Sequence, residues 1–239
     1  MHLSDRPDLI SLFDNMRSVS PVLERYTKQV LLGALWQGPE LSTRDRSIVT
    51  LAVMISRNQG AHMTSYLDLA LDNGVSPDEV SEIIAHLGFY SGWANAISAV
   101  DVAKAVFERR GITADQLSPA IVDLLAVDPV AEEQRAGAVA EKFGSTVPEL
   151  VQFTTDVLFG DVWRRPGLSP RDRCLVTLCM VIATAQVAVL GFYLNRSLDN
   201  GLTRAEVAHV MTQLAFYSGW SSVYSALPVV KEVFESRAS

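Results

Sequence analysis

The sequence repeats itself at a fixed spacing of 127 residues, and this repeat restricts the folds that the chain can adopt. The spacing is the same for every matched segment, so the two copies align without a gap. The matched segments include Leu41–Arg46 with Leu168–Arg173, Asp72–Gly74 with Asp199–Gly201, Phe89–Trp93 with Phe216–Trp220, and Trp36 with Trp163. Two unrelated helical segments would not keep one register over this length. The chain is therefore a tandem duplication, and each copy is expected to form the same structural unit.

Each copy is predicted to consist of helices alone. In the first copy, Ser42 with Asp45 and Ser76 with Glu79 are capping pairs at two helix starts, and an Asn-Gly sequence at 73–74 ends the helix between them. The predicted helices of this copy are 41–58, 61–72, 77–90 and 94–110, and the second copy repeats them. No segment shows the alternating pattern and turns of a β-hairpin. We therefore predict an all-α fold of two tandem modules, 1–112 and 113–239.

The segment 113–147 joins the two copies and is assigned to the second module. Its apolar residues recur with a helical period over Thr113–Leu125 and over Val130–Phe143, with a break near Asp128-Pro129. The segment is too apolar for a flexible linker. We therefore expect two amphipathic helices that pack on the second copy.

Charge and hydropathy disfavour two classes of partner. The chain carries 27 acidic and 20 basic residues without a cluster of lysine and arginine, which argues against nucleic-acid binding. Its most apolar stretch, Cys174–Tyr193, follows charged residues and contains threonine and glutamine, so a buried core helix is favoured over a membrane span. Residues 1–7 lack the pattern of a signal peptide, and we expect a cytoplasmic protein.

The sequence lacks the common motifs of cofactor and metal sites. It has no glycine-rich phosphate loop after a strand, no Cys-x-x-Cys and no His-Glu-x-x-His. Cys174 and Cys179 lie five residues apart, on different faces of a helix, so we expect two buried thiols that neither pair nor share a metal. We therefore expect chemistry without a cofactor or a metal ion.

Two histidines of the first copy are candidates for acid–base chemistry. His62 and Tyr66 are four residues apart and share one helix face, where a base and a phenol could move a proton to or from carbon. His86 lies on an apolar helix face that it shares with Tyr90. In both cases the alternative is an interior polar residue that is satisfied by hydrogen bonds.

The second copy lacks both imidazoles. The counterparts of His62, Tyr66 and His86 are Val189, Tyr193 and Gln213. Histidines that only support the fold would be expected in both copies. The difference therefore favours one specialised site in the first copy, supported by a degenerate second copy.

The repeated segments resemble the carboxymuconolactone decarboxylase family of the AhpD-like superfamily. The resemblance rests on the order of the Arg-Asp-Arg, Asp-Asn-Gly and Phe-Tyr-Ser-Gly-Trp motifs, which end at Arg173, Gly201 and Trp220 and recur in the first copy. It implies helical modules that assemble as a trimer of dimers, with sites in pockets between modules. A chain of two modules would then form a homotrimer, which is a pseudo-hexamer.

The resemblance also implies positions for the site. The decarboxylases carry Glu and, four residues later, His on the helix before the Asn-Gly turn, and a further His before the tyrosine motif. These positions hold His62, Tyr66 and His86, so the chain departs from the decarboxylase pattern at two of three positions. The peroxidases of the superfamily carry Cys-x-x-Cys where this chain has Gln59 and His62, so thiol peroxidase chemistry is disfavoured.

We therefore expect a cofactor-free, decarboxylase-like lyase that acts on a small carbonyl or carboxylate substrate. Its catalytic residues are expected to be His62, Tyr66 and His86. Its substrate contacts are expected to come from Arg46, Tyr90, Trp93, Tyr193 and Gln213. For Arg46 the alternative is a structural ion pair with Asp45. An isomerase, a cyclase and a non-catalytic member that binds a ligand or a partner protein stay open as alternatives.

Overall fold

A computed structural model describes residues 7–238, with side chains from residue 12 onward, and every regular element in this range is helical. The first copy contains α1 Pro7–Val19, α2 Pro21–Tyr26, α3 Thr43–Ser56, α4 Gly60–Asp72, α5 Pro77–Ser91 and α6 Trp93–Arg110. The second contains α7 Pro129–Phe143, α8 Pro148–Phe153, α9 Pro170–Ala183, α10 Val187–Asp199, α11 Arg204–Ser218 and α12 Trp220–Ser236. The all-α prediction is confirmed. Residues 1–6, on which the signal-peptide argument rests, lie outside the described residues.

The predicted helix starts are confirmed by their caps. The Ser42 hydroxyl accepts a hydrogen bond from the backbone N–H of Asp45, which satisfies one of the free donors at the start of α3. Ser76 and Thr203 form complete capping boxes at the starts of α5 and α11. After α4 the chain reverses at Gly74, whose φ of +90° is a conformation that favours glycine.

Short irregular turns precede each central helix and position the repeated tryptophans. Each copy has a π-helical turn followed by a 3₁₀ turn, at Thr27–Leu32 and Leu35–Gln37 in the first copy and at Thr154–Phe159 and Val162–Arg164 in the second. The 3₁₀ turns carry Trp36 and Trp163, which are both buried. The two indole rings thereby become part of the interior rather than of the surface.

Helices α3 and α9 pack against each other at the centre of one continuous core. Their side chains are buried almost throughout, as expected for helices that are covered on all sides. Around them, α5 and α11 each pack on both central helices, so that α5 of the first copy contacts α9 and α11 of the second copy contacts α3. The two sequence copies therefore share a single interior, and the space between α5 and α9 is built from both of them.

The Arg-Asp-Arg repeat forms a crossed ion-pair network where α3 and α9 begin. Arg44 pairs with Asp172 at 2.9 Å, and Arg171 pairs with Asp45 at 2.8 Å. Hydrogen bonds to Asp45 and Glu206 keep the pKa of Arg171 above its ordinary value, although burial opposes them. The proposed pairing of Arg46 with its neighbour Asp45 is therefore wrong, since Asp45 is engaged by the other copy.

The connecting segment contains one of the two predicted helices. α7 confirms the prediction for Val130–Phe143, with Asp128 as its N-cap. The prediction for Thr113–Leu125 is wrong, because only the 3₁₀ turn Ala114–Gln116 forms there. Pro119 disfavours helical backbone at the residue before it. The extended chain that follows is held instead by Arg165, which donates to the carbonyl of Pro119 at 2.6 Å.

The apolar stretch 174–193 does not form one helix. It is divided between α9 and α10 by a turn in which Ala185 has a φ of +57°. Within residues 7–238, no helix is both long and apolar enough to cross a bilayer. Cys174 and Cys179 are buried free thiols, as predicted, and burial raises the pKa of each thiol above its ordinary value.

Candidate active site

Two polar clusters related by the repeat lie between the copies. The His86 cluster consists of His86 and Tyr90 from α5 with Trp163, Thr177 and Tyr193 from the second copy. The Gln213 cluster consists of Gln213 and Tyr217 from α11 with Trp36, Thr50 and Tyr66 from the first copy. Each cluster needs both copies, because α5 and α11 each also contact the central helix of the other copy.

The hydrogen bonds of His86 define its tautomer. The imidazole is fully buried, and its Nε2 lies 2.7 Å from the Oγ1 of Thr177. The Thr177 hydroxyl donates its own proton to the carbonyl of Arg173 at 2.8 Å. It therefore accepts from His86, and the proton of the imidazole is on Nε2. Nδ1 then carries a lone pair, and it has no hydrogen-bond partner among residues 12–238.

The surroundings of His86 keep it neutral. Its pKa lies well below the ordinary value of 6.5, first because burial penalises the charged form and then because Arg173 and Arg196 repel it. A neutral imidazole with a free Nδ1 lone pair can accept a hydrogen bond or pass on a proton, and its low pKa makes it quick to release a proton that it has taken up. The same burial means that this nitrogen lacks the hydrogen bond that interior polar atoms usually make.

Tyr90 supplies a hydroxyl group next to this imidazole. Its ring stacks on His86 with 4.8 Å between centroids. The Tyr90 oxygen accepts from Trp163 Nε1 at 2.7 Å and from the Tyr193 hydroxyl at 3.1 Å. Because two donors occupy its oxygen, the proton of Tyr90 is available to a third group. Burial raises the pKa of Tyr90 well above 10, so the phenol stays protonated.

The Gln213 cluster has the same frame but no titratable imidazole. Gln213 Nε2 donates to Thr50 Oγ1 at 2.8 Å and to the carbonyl of Arg46 at 2.7 Å. Its Oε1 accepts from Arg46 Nη1 at 3.2 Å. The Tyr217 hydroxyl accepts from Trp36 Nε1 at 2.8 Å and donates to Tyr66 at 3.2 Å. The amide of Gln213 is thus fully engaged, as expected for a structural residue.

The structure does not bring the three predicted catalytic residues together. Tyr66 belongs to the Gln213 cluster, where its ring also stacks on Trp36. His86 belongs to the other cluster, and His62 is exposed in the first turn of α4. The expectation that all three residues meet in one pocket of the first copy is therefore wrong, because His86 contacts Thr177 of α9 whereas Tyr66 contacts Tyr217 of α11.

The predicted substrate contacts are divided in the same way. Tyr90 and Tyr193 lie in the His86 cluster, whereas Gln213 lies in the other one. Arg46 is buried and donates to the carbonyl of Gly38 at 2.9 Å as well as to Gln213. Trp93 is 61% exposed at the start of α6, on an apolar groove of about 750 Å³ between α5 and α6.

Several residues in and next to the His86 cluster were not predicted as site residues. Trp163 holds the Tyr90 hydroxyl, and Arg196 places its guanidinium 4.3 Å from the centre of the Trp163 ring. Arg173 pairs with buried Glu82 at 2.7 Å. A signal for Arg196 exists in the sequence, because its counterpart is Leu69, so that the copies differ here as they do at His86.

The described part of the chain contains no candidate metal site. No group of three or more histidine, cysteine, aspartate or glutamate side chains in that part lies close enough to hold a metal ion. The arrangement around His86 instead combines a proton acceptor, a protonated phenol and two guanidinium groups. This set can stabilise an anionic substrate and move a proton.

Comparison with known proteins places the chain in a family. The model of the carboxymuconolactone decarboxylase family matches residues 21–105 and again 148–232. The chain belongs to the carboxymuconolactone decarboxylase family. The two matches confirm the resemblance and the tandem duplication. α7 and the rest of the connecting segment lie between the two matched segments.

Two relatives each match part of this chain. The 4-carboxymuconolactone decarboxylase of Acinetobacter baylyi is 27% identical over 105 residues, which are 44% of this chain and 78% of that protein. The nitrosuccinic acid decarboxylase of Metarhizium robertsii is 31% identical over 81 residues, which are 34% of this chain and 57% of that protein. Both relatives are named as decarboxylases, which supports decarboxylase-like activity for the family member described here.

A solved structure supports the fold over the whole chain. It is described as a gamma-carboxymuconolactone decarboxylase subunit from Burkholderia xenovorans LB400. The match has a TM-score of 0.57 with 18% identity and covers 100% of this chain and 94% of that one. At this level of identity the likeness concerns the fold alone.

Proposed function

We propose that this chain is a lyase that decarboxylates a small carboxylate substrate at the His86 cluster by acid–base chemistry, without a bound cofactor. One observation supports the assignment most directly. The buried His86 imidazole is neutral and has a free Nδ1, and it stacks on a tyrosine whose hydroxyl oxygen already accepts two hydrogen bonds. The Gln213 cluster has no such group, so the chemistry is assigned to one cluster of the two.

The proposed substrate carries a carboxylate that lies β to a carbonyl group or to its vinylogue. The bond between the carboxyl carbon and the neighbouring carbon breaks, and its electron pair is delocalised onto the carbonyl oxygen as carbon dioxide leaves. The Tyr90 hydroxyl donates a hydrogen bond to this oxyanion and stabilises it. Nδ1 of His86 relays one proton from water to the carbon. Each turnover therefore consumes one proton and releases one carbon dioxide.

The charges around the cluster suit an anionic substrate. Arg196 forms no ion pair with the acidic groups of residues 12–238. Its positive charge acts to lower the pKa values of His86, Tyr90 and Tyr193. A substrate carboxylate that approaches this guanidinium is attracted over short range in a poorly hydrated environment. Arg173 contributes less net charge because Glu82 neutralises it.

Turnover of a small panel of acids tests the proposal. The panel contains 4-carboxymuconolactone, nitrosuccinate and the β-keto acid oxaloacetate, and the readouts are carbon dioxide release and proton uptake. We expect Tyr90→Phe to lower kcat by about two to three orders of magnitude, because it removes one oxyanion donor. Tyr217→Phe is the matched control, since Tyr217 holds the equivalent position in the Gln213 cluster.

The two variants separate the outcomes. Loss of turnover in Tyr90→Phe with retention in Tyr217→Phe supports the His86 cluster. The reverse pattern would move the chemistry to the Gln213 cluster and to His62 and Tyr66. Absence of turnover of every acid by the wild-type chain would overturn the assignment as a decarboxylase of such acids.

A further inference from the structure

A positively charged cavity lies beside the His86 cluster, between α7 and α10. Its volume is about 420 Å³, and both Arg135 of α7 and Arg196 of α10 line it. α7 lies outside the two segments that match the family model. Arg135 therefore brings a charge to this site from a part of the chain that the family match does not cover.

Arg135 is held in place with one donor left over. Its side chain is about nine-tenths buried. Its Nε and Nη2 donate to the carboxylate of Glu132, at distances from 2.6 to 3.0 Å. Its guanidinium lies 3.9 Å from the centre of the Phe159 ring, which fixes its plane. Nη1 is buried, and no atom of residues 12–238 accepts from it.

Arg196 presents a second unsatisfied guanidinium at the same cavity. It lies over the rings of Trp163 and Phe159, and its buried Nε lacks an acceptor within the described part of the chain. Asp199 also lines the cavity, but it pairs with Arg237 at 2.7 Å. The two arginines are thus opposed by one carboxylate, that of Glu132, and the cavity keeps an excess of positive charge.

Unsatisfied buried donors on two cations are costly unless an acceptor is supplied from outside. A carboxylate offers two oxygens with several lone pairs and suits guanidinium donors better than a neutral group does. We propose that Arg135 and Arg196 form an oxyanion-binding subsite that takes a carboxylate of the substrate. The identity of this carboxylate as a substrate group rests on the proposed function, whereas the binding of an anion does not.

Within the part of the chain whose side chains are described, the subsite occurs once. The position equivalent to Arg196 is Leu69, and the position equivalent to Phe159 is Leu32. The subsite therefore lies next to the His86 cluster, and the Gln213 cluster lacks the equivalents of Arg196 and Phe159. Arg196 also lies over Trp163, which donates to the Tyr90 hydroxyl. The Trp163 ring thus contacts both an arginine of the subsite and the hydroxyl group that the proposed reaction uses.

Isothermal titration calorimetry with three probes at constant ionic strength tests the subsite. The probes are succinate, its neutral diamide succinamide, and inorganic phosphate. We expect succinate to bind the wild-type chain at one site per chain and succinamide not to bind. Arg135→Met should weaken succinate binding by about tenfold or more, with partial recovery in Arg135→Lys. Lys142→Met, an exposed substitution on the same helix, should leave it unchanged.

Each other outcome overturns a defined part of the proposal. Binding of succinamide as tight as that of succinate would show that charge is not recognised. Phosphate binding tighter than succinate binding would identify the cavity as a site for free inorganic anions instead. Equal succinate binding by wild type and Arg135→Met, or no binding by wild type, would remove the subsite.

The test is also independent of the proposed reaction. Tyr90→Phe should bind succinate like the wild type, because it changes no group that lines the cavity. Failure of the decarboxylase assignment would therefore leave this binding intact. With an active substrate, Arg135→Met should raise KM and leave kcat nearly unchanged, which differs from the effect expected at Tyr90.

Discussion

Replacement of His86 by glutamine should stabilise the protein while it removes activity. The Gln213 cluster shows how the frame accommodates a glutamine, which donates to the threonine hydroxyl and to an arginine carbonyl and accepts from the arginine side chain. In the His86 cluster the same threonine and arginine positions hold Thr177 and Arg173. There, Arg173 Nη1 and His86 Nδ1 are buried without partners in the described part of the chain. His86→Gln should supply the missing acceptor to Arg173 and remove the unpaired ring nitrogen.

The sum of the changes in the free energy of unfolding favours the His86→Gln variant. A hydrogen bond to a buried guanidinium contributes about 1.5–3 kcal/mol, and removal of an unsatisfied buried nitrogen contributes about 1–3 kcal/mol. The variant loses the ring contacts of His86 with Tyr90 and Trp163, at about 0.5–1.5 kcal/mol each. We expect a net gain of about 1–2 kcal/mol in the free energy of unfolding. For a chain of this length that corresponds to a rise in Tm of roughly 2–8 °C.

Scanning calorimetry at one protein concentration measures the effect, and turnover is assayed on the same samples. The matched control is Gln213→His, which leaves Arg46 Nη1 without its acceptor and should lower the free energy of unfolding by about 1–3 kcal/mol. A His86→Gln variant with a lower Tm than the wild type would refute the reasoning from unsatisfied groups. A variant that keeps its turnover would refute the role of the imidazole.

Two further predictions concern pH and assembly. The pKa of His86 is lower in the folded than in the unfolded chain, so its contribution to the free energy of unfolding is present above about pH 6.5 and is lost as pH falls further. The Tm of His86→Gln should therefore exceed that of the wild type by more at pH 5.5 than at pH 7.5. A constant difference in Tm would contradict a neutral buried imidazole. The groove of about 750 Å³ exposes the apolar side chains of Trp93, Ile97 and Val100, a patch typical of protein interfaces. Together with the homotrimer that the family resemblance implies, it predicts that light scattering gives three 26.1 kDa chains per particle. A monomer would contradict this prediction.

The elements that could be predicted from the sequence are those whose causes are local. The cap at Ser42 and the turn at Gly74 depend on a few neighbouring residues, and both formed as expected. The helix predicted at 113–125 failed because its apolar period competed with Pro119 and with hydrogen bonds from Arg164 and Arg165. Those arginines lie about forty residues further along the chain, so no local pattern reports them.

The site was harder to predict than the fold because its contacts are between copies. His86 and Thr177 are 91 residues apart in sequence, and Gln213 and Thr50 are 163 apart. Spacing within one copy placed His62, Tyr66 and His86 on plausible faces, but it contains no information on the contacts that α5 makes with the other copy. Those contacts exist because α3 and α9 pack together in one core, which is a property of the whole chain.

The contacts between the copies change how the differences between them are interpreted. Compared within one copy, the loss of imidazoles makes the second half look degenerate. In three dimensions the second half supplies Trp163, Tyr193 and Arg196 to the cluster that retains His86. At the positions of His86, Arg196 and Phe159 the Gln213 cluster has Gln213, Leu69 and Leu32, so the imidazole and the guanidinium occur together at one cluster and are replaced by neutral side chains at the other. Because one cluster lacks both groups, the two clusters cannot carry out the same acid–base chemistry, and the proposed reaction is assigned to the cluster that both copies build around His86.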